Sequence, residues 1–84
     1  SMKRAVHDAQ KFFPNFWQLP YDAQLVVADM SFNLGLNKLN KFKNFKAALE
    51  KGDWDEAANQ MKDSNWYRQV GNRSKALVNM MRGI

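Results

Sequence analysis

The sequence contains no cysteine and a single histidine, His7. A chain without cysteine has no disulfide framework, no thiolate metal site and no cysteine nucleophile, and one histidine cannot form a histidine cluster. No apolar run approaches the roughly 20 residues that a transmembrane helix needs, and the N-terminus carries no apolar signal region. Acidic residues are also fewer than basic ones. The sequence has eight acidic and 13 basic residues, which gives a net charge of +5. The charge favours an anionic partner, such as nucleic acid, an anionic membrane or an acidic cell-wall polymer.

The first half of the sequence predicts two helices. Residues 3–13 carry apolar side chains at helical spacing, and Pro14 ends this pattern because proline disfavours helix in the residue before it. Pro20 is placed as a first-turn proline, and the segment that follows continues to Gly35, a residue typical of helix ends. Apolar residues leave almost no polar face on this second segment, so we expect residues 21–34 to be a buried helix.

The second half of the sequence contains shorter, one-sided patterns. Asp53 is a good N-cap, and Glu56 three residues later completes a variant of the capping box. We predict helices over 42–51, 53–62 and 72–82, a turn or two of helix from 64 to 71, and a loop from 35 to 41. The expected fold is an all-α single small domain of five to six helices around the buried central helix.

The segment SNWYRQVGNR, residues 64–73, is too polar for a core and too aromatic for a surface loop that binds nothing. It combines two aromatic side chains, two arginines and three amides, with no acidic residue. At 100° per residue, Arg73 falls on the same helix face as Leu77 and Met81. An arginine on an apolar face needs an acidic partner, and none is adjacent in the sequence. We interpret this segment as a contact surface.

Three sequence elements together resemble a known family. They are FNLG at 32–35, a phenylalanine seven positions after that glycine, and DWDEAANQMKDSNWYRQVGNRSKALVNMMR at 53–82. Their order and spacing resemble the C-terminal lobe of the bacteriophage-type lysozymes, glycoside hydrolase family 24. The resemblance covers residues 20–84, while residues 3–19 are similar to the end of the helix that joins the two lobes and the turn after it. Residues 1–2 are interpreted as an expression scar.

The resemblance implies a place in a peptidoglycan-hydrolysing muramidase of the endolysin type. Such enzymes cleave the bond between N-acetylmuramic acid and N-acetylglucosamine in the bacterial cell wall, a periplasmic or extracellular target. A small N-terminal lobe supplies the catalytic glutamate, and the helical C-terminal lobe forms the other wall of the cleft. No residue of this chain matches that glutamate, so we assign it no catalytic residue, no cofactor and no metal. We expect peptidoglycan and an N-terminal catalytic lobe as partners, and a chain that is inactive alone.

The resemblance also suggests which residues face the substrate. Arg73 is similar to the family arginine that pairs with the catalytic glutamate across the cleft. Trp54 and Trp66 have an alternative role as packing residues, because tryptophan is usually buried. Tyr67 also has an alternative role, in which its ring covers a helix end. The residues that match substrate-contact positions are Asn33, Phe42, Trp54, Gln60, Trp66, Tyr67, Gln69 and Asn72.

Two further functions remain open from the sequence. The chain could be a stand-alone wall-binding or inhibitory module that has the lobe without the chemistry. It could also be a nucleic-acid-binding helical domain, because aromatic side chains interleaved with lysine and arginine can stack on bases and neutralise phosphates. We rank the nucleic-acid interpretation last.

Overall fold

A computed structural model describes all 84 residues. The chain forms seven α-helices and one turn of 3-10 helix, Phe16–Gln18, and no strand, so the predicted all-α fold is confirmed. None of the seven helices has both the length and the apolar character that crossing a bilayer requires. The helices are α1 (Met2–Phe12), α2 (Tyr21–Leu34), α3 (Leu36–Leu39), α4 (Lys43–Lys51), α5 (Trp54–Lys62), α6 (Asn65–Val70) and α7 (Asn72–Arg82).

The chain divides into two compact units, unit 1 (Ser1–Phe42) and unit 2 (Lys43–Ile84). In unit 1, α2 packs against both α1 and α3, and α1 also touches α3. Pro14 and Pro20 flank the short connection between α1 and α2, as the sequence predicts. The largest buried apolar side chains of unit 1 are Phe12, Phe13, Phe16, Leu19, Val26, Val27, Met30 and Leu39.

Residues 35–41 were predicted as a loop, and that prediction is wrong for the short helix α3. Gly35 has a φ of +78°, which lets the chain turn sharply after α2 and begin a new helix at once. Leu39 at the end of α3 is fully buried. The glycine and the asparagines of residues 35–41 suggested a loop. Burial of Leu39 favours a helical turn instead, because tertiary packing stabilises short helices.

Helix α2 buries only part of its apolar surface. Ala23, Val26, Val27 and Met30 point inward and are fully buried. The exposed apolar side chains of the helix are Tyr21, Leu25 and Phe32.

Unit 2 follows its amphipathic sequence pattern closely. Helix α5 packs against α4 and α7, and α6 packs against α5 and α7. Asp53 caps α5, accepting a hydrogen bond from the Glu56 N–H at 3.2 Å. The expected return bond from the Glu56 side chain to the Asp53 N–H is not formed, because that N–H donates to the Ala48 carbonyl at 2.9 Å. The buried apolar side chains of unit 2 are Phe45, Ala48, Leu49, Ala57, Ala58, Met61, Trp66, Leu77, Val78 and Met81.

Candidate functional site

The segment 64–73 forms a tight corner between α6 and α7. Ser64 caps the N-terminus of α6. Its hydroxyl oxygen accepts a hydrogen bond from the Tyr67 N–H at 3.2 Å, and the hydroxyl donates one to the Met61 carbonyl at 2.6 Å. Gly71 is the one residue between the two helices, and its φ of +74° is a backbone conformation that favours glycine. The Ser74 hydroxyl lies 2.8 Å from the Tyr67 carbonyl and 2.7 Å from the Gly71 carbonyl. The Ser74 hydroxyl can share its one proton between these two carbonyl oxygens. The two contacts therefore connect the end of α6, Gly71 and the start of α7 on the buried side of the corner.

This corner presents polar side chains outward. Gln69 at the end of α6 and Asn72 and Arg73 at the start of α7 are all exposed. Tyr67 is half-buried and follows the capping serine of α6. Two amides and one guanidinium within five positions can donate to and accept from sugar hydroxyl, acetamido and carboxylate groups.

Arg73 does not lie on the apolar face of α7, and that part of the sequence interpretation is wrong. The buried residues of α7 are Ser74, Leu77, Val78 and Met81, so the inward stripe begins one position after Arg73. Ser74 takes the inward position because its hydroxyl satisfies the carbonyls of the corner. Arg73 is exposed, and it has an interaction partner within this chain.

Trp66 is buried, with 4% of its surface exposed, and its indole N–H has no hydrogen-bond partner. Its ring therefore packs in the interior, which agrees with the packing role that the sequence left open. A buried N–H without a partner costs free energy, since water no longer solvates it. The predicted substrate contact of Trp66 stays a prediction.

Trp54 and Gln60 lie on a different part of unit 2, helix α5. Trp54 is the half-buried first residue of that helix. Gln60 donates from its amide to the Glu56 carboxylate at 2.8 Å. Gln60 also lines an open, polar cavity of about 280 Å³ together with Asn44, Ala47, Ala48, Lys51, Asp53 and Glu56.

The two predicted residues of unit 1 lie near its C-terminal end. Asn33, in the last turn of α2, is exposed and donates from its amide to the Asp29 carbonyl at 3.1 Å and the Asp29 carboxylate at 3.0 Å. Phe42 follows α3, is half-buried and has an interaction partner within the chain. The Asn33 amide is thus held against its own helix, with its carbonyl oxygen still able to accept.

Two features of unit 1 were not predicted from the sequence. Trp17 and Tyr21 are exposed aromatic side chains around the α1–α2 connection. The Ser31 hydroxyl of α2 is buried without a hydrogen-bond partner beside a cavity of about 170 Å³. The one available signal for the first feature is the run FFPNFWQLPY at 12–21, which contains no charged residue. No three histidine, aspartate or glutamate side chains gather closely enough to hold a metal ion.

Comparisons with known proteins give consistent matches. The chain is 33% identical to Probable T4-type lysozyme 1 of Dictyostelium discoideum over 58 residues, 69% of this chain and 34% of that protein. It is 31% identical to Probable T4-type lysozyme 2 of the same organism over 62 residues, 74% of this chain and 36% of that protein. It is 29% identical over 77 residues, 92% of its length, to 13% of the pre-baseplate central spike protein Gp5 of Enterobacteria phage T4.

No family model and no solved structure matches the chain. The chain spans about a third of the length of the two Dictyostelium lysozymes. The matches nevertheless agree with the motifs at 32–35 and 53–82 in pointing to one family. The resemblance predicted from the sequence is confirmed: this is a T4 lysozyme-like chain.

Proposed function

We propose that this chain is the C-terminal lobe of a peptidoglycan-hydrolysing muramidase, where it forms one wall of the substrate cleft. The observation that carries the proposal is the similarity to two T4-type lysozymes over 69% and 74% of the chain. In this proposal the catalytic glutamate comes from an N-terminal lobe, and the helical chain positions the glycan and the glutamate.

The α6–α7 corner is the part of the chain that suits such contacts best. Gln69 and Asn72 present amides that can bond sugar hydroxyl and acetamido groups, from a backbone that Ser64 and Ser74 hold in place. Preorganised contacts of this kind hold a substrate at lower entropic cost than mobile ones. Asn33, Phe42, Trp54, Gln60, Trp66 and Tyr67 are proposed as further contacts from the resemblance.

Arg73 has a separate role in the proposal. Its guanidinium would lie against the glutamate of the other lobe, since an arginine next to a carboxylate fixes its position by charge-assisted hydrogen bonds and favours its ionised form.

The charge of the chain agrees with a cell-wall partner. The net charge of +5 attracts the anionic groups of peptidoglycan stem peptides over a distance of about one Debye length, roughly 8–10 Å at moderate salt. Added salt screens this attraction, whereas contacts through amides depend little on salt. Binding to the wall should therefore have a salt-sensitive part and a salt-resistant part.

A retention experiment on purified peptidoglycan sacculi tests the binding part of the proposal. We expect the chain to be retained at low salt and progressively released as salt rises. Asn72→Ala combined with Gln69→Ala should weaken retention at every salt concentration. Asn79→Ala is the matched control, because Asn79 is an exposed amide near the other end of α7, and it should leave retention unchanged.

Two results would contradict this proposal. Retention on single-stranded DNA equal to or stronger than that on sacculi would favour the nucleic-acid interpretation. Retention on sacculi that does not respond to the double substitution would move the contact surface away from the α6–α7 corner.

A further inference from the structure

Trp17 is exposed and yet held in place. Its side chain is 63% exposed. The indole N–H donates to the Gln10 amide oxygen at 3.0 Å, and the ring meets Phe16 edge to face at a centroid distance of 4.9 Å. The Trp17 carbonyl also accepts from the Gln24 amide at 3.2 Å. A large aromatic ring that two interactions hold, on a backbone held by a third, and that still faces solvent is suited to binding a ligand.

Tyr21 stands four positions further along and is 71% exposed, at the first residue of α2. The backbone between the two aromatic residues is stiff. Gln24 donates to the Leu19 carbonyl at 2.9 Å in addition to the Trp17 carbonyl, and Pro20 fixes its own φ. The connection therefore presents both rings from a backbone of defined shape.

The chemistry around these rings indicates the class of ligand. Residues 12–21 contain no charged side chain, and the exposed polar groups among them are the amides of Asn15 and Gln18 and the hydroxyl of Tyr21. The exposed charged residues Lys11 and Asp22 stand at the two ends of this run, and the run itself contains no lysine or arginine to neutralise phosphates or acidic peptides. Flat rings beside amides suit a ligand with an apolar C–H face and a rim of hydroxyl and acetamido groups, which describes an uncharged pyranose sugar.

We propose that Trp17 and Tyr21 form a binding platform for a neutral, N-acetylated glycan strand. The choice of an N-acetylated sugar rests on the proposed function. The platform lies outside the set of residues that the lysozyme resemblance suggests. It would give unit 1 a glycan contact of its own.

Titration with the tetrasaccharide of N-acetylglucosamine tests the platform, because this probe carries no charge and no stem peptide. The chain has three tryptophans, so three indole N–H signals report on Trp17, Trp54 and Trp66 separately in a nitrogen-15 correlation spectrum. We expect the Trp17 signal to shift with the probe. Trp17→Phe identifies the Trp17 signal by its loss.

Substitutions separate stacking from a structural effect. Trp17→Ala should weaken binding about tenfold or more, because the ring that the sugar covers is gone. Trp17→Phe, which keeps an aromatic ring and loses the bond to Gln10, should retain most of the affinity. Phe32→Ala is the control, since Phe32 is an exposed aromatic residue of the same unit outside the platform, and it should bind like the unsubstituted chain. Thermal unfolding checks that each variant is folded, and Tyr21→Ala serves as a second test of the platform.

Several results would overturn the platform. They are an unmoved Trp17 signal at millimolar probe, unchanged binding in both Trp17→Ala and Tyr21→Ala, or a larger shift with oligo-deoxythymidine than with the sugar. A Trp17 signal that moves with protein concentration alone would instead assign the surface to self-association. A Trp17 shift with the tetrasaccharide combined with no retention on sacculi would leave the platform standing and refute the proposed wall function.

Discussion

The two compact units use their apolar residues differently. In unit 2, α4, α5 and α7 each bury one row of side chains along a single helix face. The one large exposed apolar residue of unit 2 is the terminal Ile84. In unit 1, five large apolar side chains remain exposed, namely Met2, Trp17, Tyr21, Leu25 and Phe32. Exposed aromatic side chains that are not needed for the core are available for binding, and unit 1 offers such rings, whereas the aromatic side chains of unit 2 are half-buried or buried.

The charges are shared more evenly between the units than the exposed apolar residues. Unit 2 carries eight of the 13 basic residues and five of the eight acidic ones, and unit 1 carries the other five and three, so the net charges are +3 and +2. The connection between α1 and α2 carries none over residues 12–21. Both units therefore contribute to long-range, salt-sensitive attraction, and the uncharged connection is suited to short-range stacking that salt does not weaken.

The largest change in the free energy of unfolding is expected at Trp66, in the interior of unit 2. Trp66→Ala should lower the free energy of unfolding by about 3–5 kcal/mol, because it removes a large buried ring and leaves a cavity. Trp66→Phe should cost far less, since it keeps a ring and also removes the buried N–H that has no partner. Urea denaturation followed by circular dichroism measures both. If Trp66→Phe were as destabilising as Trp66→Ala, the indole N–H would have a partner that matters.

The second effect separates the two faces of α2 in unit 1. Met30→Ala should lower the free energy of unfolding by about 2–5 kcal/mol, because Met30 is fully buried. Phe32→Ala, two positions later on the exposed face, should change it by no more than about 0.5 kcal/mol. The same denaturation measurement compares them. Equal costs for the two variants would show that Phe32 contributes to the core.

A smaller effect is expected at the start of α5. Asp53→Ala removes the side chain that caps the helix and should cost about 0.5–2 kcal/mol. Asp55→Ala removes a charge from the same first turn without a capping bond, and should cost about 0.3–1 kcal/mol. Thermal unfolding at low and high salt distinguishes the two causes, since salt screens the charge of Asp55 and leaves the capping bond in place. A cost for Asp53→Ala that disappears at high salt would contradict the capping role.

The smallest effect is a gain in stability at Ser31 of unit 1. Its hydroxyl is buried in a residue that is 3% exposed, and it has no hydrogen-bond partner. Ser31→Ala should raise the free energy of unfolding by up to about 1 kcal/mol, because it removes a buried polar group without a partner and improves the helix propensity. Chemical denaturation should detect the gain. A loss of stability would indicate that the hydroxyl is bonded, for example by water in the adjoining cavity.

The sequence predicted the helices of unit 2 better than the surfaces of unit 1. Periodic apolar positions and Asp53 located α5, because a one-sided helix has one way to bury its stripe. Helix α2 has apolar residues on all sides, so periodicity could not tell that Phe32 faces solvent and Met30 does not. In α7, the inward direction is decided by Ser74, whose hydrogen bonds at the corner depend on the folded backbone. The candidate contacts of the corner came from motif spacing, and the hydrogen bonds that fix Trp17 came from the structure alone.

A chimera tests whether this chain can form one wall of a muramidase cleft. It replaces the matched 58-residue stretch of Probable T4-type lysozyme 1 with the corresponding residues of this chain, and the clearing of a turbid peptidoglycan suspension is followed. We expect clearing by the chimera and none by the 84-residue chain alone. In the chimera, Arg73→Met should slow clearing about a hundredfold, as expected for loss of a group that positions the catalytic carboxylate. Arg68→Met, at another exposed arginine, should not. Clearing by the 84-residue chain alone that is lost in Asp55→Asn would contradict the account.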